Sequence, residues 1–367
     1  MPNPNAVVST VRRVDRTERD VLVELEDGRR ARLDAADPRT PALAGLLDSL
    51  GTQRLPVYLE LAPETAVIGR VLIPRVTRVA RLHQLDDGAL GVELDLSHAR
   101  HVVRRTASDF AALEAALREA LRTSDLVVLT ETDAHEIIDV RPYVPAPDAP
   151  APPGPRPPPD RPVRGPWLWR WVRELIDRIW IWRWWPWWWR RCISSTRAQQ
   201  AFDAMAATSC APLTVPAPCI PFLYPDDGCW ARAHEMCRLL LGMGLSPRKV
   251  WIQGSLHTPT RNNPQCFVNW GWHVAPTLCV RGPRFFQRRT MVVDPSLFTT
   301  PVTEAAWKGV QGDPGASLTD TDASIYWLWN NGTDPGYVDT NVQLAFYRLQ
   351  LQNRAINVGP PPYANCP

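Results

Sequence analysis

The amino-acid sequence predicts an α+β protein with two folded parts, and three observations carry that prediction. Its 367 residues are enough for two domains of about 150 residues, each with its own core. The first 143 residues alternate short apolar runs with turn formers and two stretches of helical period. Beyond residue 192, a helical pattern is followed by two aromatic and β-branched runs that read as strands. Composition marks the boundaries between these parts. Twelve of the 38 Pro lie between Pro142 and Pro166, 10 of the 17 Trp between Trp167 and Trp189, and all 8 Cys from Cys192 onward. The chain therefore divides into 1–143, 144–166, 167–191 and 192–367.

In the first part, Val7 to Val14, Asp20 to Leu25, Val57 to Leu61, Ala66 to Ile73 and Leu90 to Leu96 read as antiparallel strands, separated by turns such as Asp27-Gly28 and Asp86-Asp87-Gly88. Helical period appears over Pro41 to Leu50 and Ser108 to Leu121, where Phe110, Leu113, Leu117 and Leu121 share a face and Ser108 with Asp109 offers a cap. The sum is a small α+β domain. It shows no internal repeat, no metal-ligand spacing, no Cys and no glycine-rich phosphate loop. His83, His98, His101 and His135 are isolated along the sequence and read as scattered surface or core histidines. Adaptor, delivery or inhibitory roles fit such a domain.

Charge narrows the partners. Residues 1–143 carry 19 Arg against 23 acids, 144–191 carry 9 Arg against 4 acids, and the net charge is +3. This balance does not suit a nucleic-acid partner. The N-terminus lacks a charged stretch followed by an apolar run, so it does not read as a signal peptide, and export would use another route or an upstream segment. Residues 144–166 read as an extended, solvated proline spacer. Residues 167–191 hold six Arg and two acids, too many charges for a bilayer span. Their Trp and Arg suit a membrane interface, or a helix docked by its Trp face, with Pro186 ending or kinking any helix.

The last part carries the chemistry. Its Cys form no CxxC and no zinc-finger spacing, which leaves disulfides or a catalytic thiol; no metal and no cofactor are expected. Cys229 follows the turn Tyr224-Pro225-Asp226-Asp227-Gly228 and opens a helical pattern ending at Gly242 or Gly244. A helix N-terminus favours a thiolate and presents N–H groups to an oxyanion. Such a nucleophile needs an imidazole and a third group to orient it. His234 is about 140° around the helix from Cys229 and reads as structural. His257 lies in what reads as a loop without rigid support. His273 lies on an aromatic, β-branched strand run, and Asp294 closes a second strand at Asp294-Pro295. Helix-borne Cys229, strand-borne His273 and neighbouring Asp294, in that order, resemble the core of papain-like and transglutaminase-like cysteine hydrolases.

Longer motifs sharpen this. Asp227-Gly228-Cys229-Trp230-Ala231-Arg232-Ala233-His234-Glu235-Met236, then Trp272-His273-Val274-Ala275, then Val293-Asp294-Pro295-Ser296-Leu297-Phe298 and on to Trp307 resemble the bacterial protein-glutaminases, the protein-glutamine deamidases. Cys210, Cys219-Ile220 and Cys266 share in the resemblance, which is strong from about 209 to 307. It implies hydrolysis of glutamine side-chain amides in proteins or peptides, with release of ammonia. Cys229 would attack the carboxamide, His273 would move the proton, Asp294 would orient His273, and water would cleave the thioester. The backbone N–H groups of Cys229 and Trp230 would face the oxyanion. Trp270 and Trp272 would wall the cleft or else belong to the core. Cys210 is expected to pair with Cys219, worth roughly 2 to 3 kcal/mol in an oxidising compartment. At least one further Cys is left free. Secreted members of the family begin with a signal peptide and a removable pro-segment. The unrelated region before residue 200 would be a fused pro-domain or a targeting device, as in the delivered bacterial toxins that such domains resemble, so the protein is expected outside the producing cell. Two alternatives stay open: a transglutaminase or cysteine peptidase using the same three residues, and a membrane-interface binding protein whose last part is only a scaffold.

Overall fold

The computed structural model describes residues 5–17, 20–145, 192–282, 284 and 287–367. Nearly all of the proline spacer, and the Trp/Arg stretch 167–191 with the membrane contact expected of it, lie outside the described residues. Among the described residues no helix is long and apolar enough to cross a membrane. The chain divides into two units: the first holds the described residues to 145 with Ala211–Val215 and Phe346–Tyr363, the second the remainder from 192.

The first unit runs β1 (Ala6–Arg16), β2 (Val21–Leu25), β3 (Arg30–Leu33), α1 (Thr40–Thr52), β4 (Pro56–Leu61) and β5 (Ile68–Leu72). It continues with β6 (Arg75–Thr77), β7 (Val79–Gln84), β8 (Leu90–Leu94), β9 (His101–Val103), α2 (Phe110–Thr123), β10 (Val127–Glu131) and β11 (Ile137–Pro142). Leu43, Leu46, Leu47 and Leu50 of α1 are buried against Val11, Val23, Leu25 and Leu59 of the sheet. Phe110, Leu113 and Leu117 of α2 form the equivalent core with Leu90, Val92 and Leu129. Asp109 stands at the N-cap of α2 but its side chain makes no capping bond, so apolar burial rather than a cap fixes that helix.

The expectation of no internal repeat does not survive the fold. The first sheet has the order β3-β2-β1-β4-β5. In the second half β9-β8-β7 and β6-β10-β11 give the same order, with β6 and β7 together standing where β1 stands. Register agrees in detail. A bulge between Glu60 and Leu61 matches one between Thr130 and Glu131. The isolated parallel bridge Arg32–Val67 matches Val102–Glu136. Left-handed residues fall at Arg54 and Ala66 in one half and at Ser124 and His135 in the other. The sequence hides the repeat because one-residue length changes shift its phase and only the burial pattern, not the residues, is kept.

The second unit contains α3 (Ser195–Ala206), α4 (Cys229–Gly242), β12 (Arg248–Pro259), β13 (Phe267–Arg281), β14 (Arg288–Val292), β15 (Val302–Thr303) and α5 (Glu304–Gly309). β16 (Ser317–Asp322), β17 (Ile325–Trp327), β18 (Gly332–Thr333) and the start of α6 (Val338–Asn357) complete it. Its main sheet is antiparallel with the order β15-β14-β13-β12-β16. Val250, Ile252, Val268, Trp270, Ala275, Val292 and Trp307 form the core on this sheet. His257 proves to lie on β12, not in a loop: the turn formers around it give way to pairing with Asn269 on β13. Three disulfides close the unit, Cys192–Cys279, Cys210–Cys219 and Cys266–Cys366, and Cys229 and Cys237 are buried outside any disulfide.

Behind α4 lies a buried polar group. His234 Nδ1 is 2.8 Å from Lys249 Nζ, and Nε2 is 3.3 Å from the Asp334 carbonyl. Burial and then the Lys249 charge hold the imidazole down at about 4, and burial holds Lys249 down at about 8. A histidine that is neutral when folded and free to charge when unfolded stabilises fully above about pH 6.5, and that contribution is lost as pH falls towards 4. The expected loss over this window is about 2 kcal/mol once solvent screening is allowed for. Denaturant unfolding at pH 7 and pH 4.5 checks it, with His234→Gln expected to show the smaller difference.

Candidate active site

Cys229 owes its position to the turn before it. Gly228 adopts φ +80, a left-handed conformation that costs other residues about 1 to 2 kcal/mol, and so turns the chain directly into α4. The guanidinium of Arg232, one turn into the helix and 2% exposed, donates to the carbonyls of Tyr224, Asp227 and Pro225. Trp270 Nε1 donates to the Asp226 carbonyl at 3.0 Å, and the Asn263 amide donates to the Asp226 carboxylate. The turn is thereby tied to its own helix and to β13. Arg232→Met keeps the stem but leaves these buried carbonyls short of donors. It is expected to cost about 2 to 3 kcal/mol, read as a lowered melting temperature.

The three residues singled out from the sequence converge. Cys229 Sγ lies within 4.8 Å of a ring nitrogen of His273. His273 Nε2 is 2.9 Å from Asp294 Oδ2. Asp294 follows the end of β14, where its Oδ1 accepts from the Ser296 N–H at 3.2 Å and its main-chain carbonyl accepts from Leu297 and Phe298. Its Oδ2 also accepts from Trp307 Nε1 at 2.9 Å. Trp307 is set by α5, whose N-cap Thr303 accepts from the Ala306 N–H. The His273 ring lies between two indoles: Trp270 at 4.4 Å and 19°, Trp307 at 5.4 Å and 27°. Trp272 instead joins an aromatic group with the buried Trp230, Trp251 and Trp327 and the half-buried Trp329. Trp230 Nε1 donates to the Tyr326 hydroxyl. The contacts that Arg232, Asn263 and Trp307 make escape the sequence reading, because a buried Arg or Trp inside an apolar pattern carries no local mark of the partner it will meet.

The electrostatics correct one expectation. Helix position alone favours a thiolate, yet burial pushes the Cys229 thiol well up, with Arg232 only partly offsetting it. Burial also lowers His273, against the pull of Asp294; burial would raise Asp294, but His273, the Trp307 N–H and Arg232 together hold it below its ordinary value. Burial thus disfavours charge on Cys229 and on His273, while the surroundings of Asp294 favour charge there. His234 and His257 stay apart from these three, His257 being exposed and bonded to Asn269.

Comparison with known proteins relates part of this chain to a family. Residues 198–311 match the family model described as Glutaminase. A crystal structure of protein-glutaminase shares 30% identity, covering 43% of this chain and 91% of that one, with a TM-score of 0.37. The NMR structure of protein-glutaminase from Chryseobacterium proteolyticum shares 27%, covering 48% and 97%, with a TM-score of 0.39. A crystal structure of pro-protein-glutaminase shares 21%, covering 81% and 99%, with a TM-score of 0.49. No curated protein matches. The stretch matched by the family model lies almost wholly in the second unit. The chain belongs to the protein-glutaminase family, which its C-terminal part carries.

Proposed function

We propose that the protein hydrolyses glutamine side-chain amides in proteins or peptides to glutamate and ammonia, through a cysteine thioester in a papain- or transglutaminase-like core. The observation that carries this is the Cys229–His273–Asp294 convergence at the start of a helix, within a family member's matched stretch. His273 takes the Cys229 proton as sulfur attacks the carboxamide carbon. The Cys229 and Trp230 N–H groups face the developing oxyanion, and the protonated imidazole then delivers its proton to departing ammonia. Water, deprotonated by the same imidazole, breaks the thioester. Asp294 holds Nε2 and balances the imidazolium.

Incubation with casein separates this from its neighbours: ammonia without new peptide ends or cross-links is expected. Peptide ends without ammonia would make the protein a peptidase, and cross-links with a supplied amine a transglutaminase. Three disulfides favour an oxidising setting outside the cytosol. For residues 1–143 the reading is a fused pro-domain or a targeting and delivery module. Cutting the chain within 144–191 raises ammonia release in the first case and leaves it unchanged in the second.

A further inference from the structure

The internal repeat of the first unit exposes a local departure from its own pattern. Pairing matches Ala31 to His101, both opposite a valine, Val23 in one half and Val92 in the other. It matches Leu61 to Glu131, each beyond its bulge and opposite an isoleucine, Ile68 or Ile137. Ala66 corresponds to His135, each left-handed and each giving its carbonyl to the N–H of the matching bridge strand, Arg32 or Val102. Three positions that hold Ala, Leu and Ala in one half thus hold His, Glu and His in the other. Replacing apolar positions that are buried or half-buried with ionisable groups costs stability unless they are given partners. Grouping all three at one point concentrates that cost.

They meet at one atom. His101 Nδ1 lies 2.5 Å and His135 Nδ1 3.0 Å from Glu131 Oε2, and the three side chains are between 0% and 10% exposed. We infer that His101, Glu131 and His135 form a binding site for one divalent transition-metal ion of the zinc type, independent of the reaction proposed for the second unit. Two neutral imidazoles and one carboxylate are a donor set for Zn²⁺ or Co²⁺, with a fourth position left for water. The surroundings suit that use. A ring bound through Nδ1 keeps its proton on Nε2, and His101 Nε2 has the Ser97 hydroxyl at 2.8 Å to receive it. Arg75 Nη2 stands 3.7 Å from Glu131 Oε1, the other oxygen, and so leaves Oε2 to the ion. Arg75 is held by the Tyr347 hydroxyl at 2.9 Å and the Leu96 carbonyl at 3.1 Å. Two ligands of one tetrahedral zinc are about 3.3 Å apart at bonds of about 2.05 Å. Relative to Glu131 Oε2, binding therefore needs an outward shift of about 0.8 Å at His101 and about 0.3 Å at His135, within reach of the turn that carries His135.

The test uses the full chain, stripped with chelator and dialysed, titrated with Co²⁺ followed by absorption and with Zn²⁺ followed by calorimetry. One equivalent is expected, with the intense visible absorption of four-coordinate Co²⁺ and release of the Co²⁺ on adding Zn²⁺. His101→Ala, His135→Ala and Glu131→Gln are each expected to weaken binding by about 100-fold or more, and Ser97→Ala by about 10-fold. Glu131→Gln preserves shape and guards against loss of binding through unfolding, which circular dichroism reads separately. Cys229→Ala is expected to bind unchanged. Absence of a stoichiometric site, or equal binding by folded Glu131→Gln, would overturn the assignment in favour of a metal-free hydrogen-bonded cluster. Binding lost in Cys229→Ala but kept in the three ligand variants would move the ion elsewhere and overturn it equally.

Discussion

Cys229→Ala is expected to lower ammonia release from a glutamine-bearing protein by at least about 10⁴-fold in kcat, with the fold intact. The size follows from the chemistry. Without sulfur the proposed thioester cannot form, and direct attack by water on an amide would have to rely on binding and the proposed oxyanion donors alone. The fold should tolerate the change, because removing one buried sulfur from a side chain of this size leaves only a small cavity, worth about 1 kcal/mol. Melting temperature and casein deamidation together check the prediction. A variant that melts normally and still releases ammonia would remove Cys229 from the reaction. The pH profile adds a second readout. His273 must be neutral to accept the thiol proton, and burial lowers it from its ordinary 6.5, so the acid limb of kcat/KM is expected below pH 6.5.

What the sequence disclosed and what it concealed follow a physical division. Cys229 was legible because its turn and helix are local: Asp226-Asp227-Gly228 ends the turn, and the helical period starts at once. His273 and Asp294 were legible because aromatic and β-branched runs mark strands, and a strand end before proline is a fixed point. The supporting residues depend on distant partners. Nothing adjacent to Trp307 says that its N–H reaches Asp294, and nothing beside Arg232 says that it donates back to three carbonyls. His257 misled because its neighbours Thr258 and Pro259 are turn formers, while β-pairing to β13 overrides them. The cluster of His101, Glu131 and His135 was concealed most completely. Its members come from β9, the end of β10 and a turn, and only a repeat visible in strand register shows that they stand where apolar residues would serve.

The second large effect is expected at Asp294. Asp294→Ala is predicted to lower kcat by roughly 10³ to 10⁴-fold, with KM changed far less. Its Oδ2 is the shared acceptor for His273 Nε2 and Trp307 Nε1, each at 2.9 Å, in a site where Asp294 is 2% exposed. Alanine leaves both donors without that acceptor and leaves the imidazolium that forms during attack without its counter-charge. Stability should fall too, by about 2 to 4 kcal/mol for two buried donors stripped of a charged partner. The two losses need separating, and Asp294→Asn does so. Its amide oxygen can take the place of Oδ2 and keep the ring oriented, while its NH₂ then faces the Ser296 N–H, which gives up its 3.2 Å bond. Orientation is kept and charge is lost. Cysteine enzymes that place a neutral amide behind the histidine are active, so Asp294→Asn is expected to fall only about 10- to 100-fold. The order wild type, Asn, Ala in kcat, measured below each variant's melting range, makes Asp294 a positioning and electrostatic partner of His273. An Asp294→Ala protein with lowered melting temperature and unchanged kcat would make it part of the core alone.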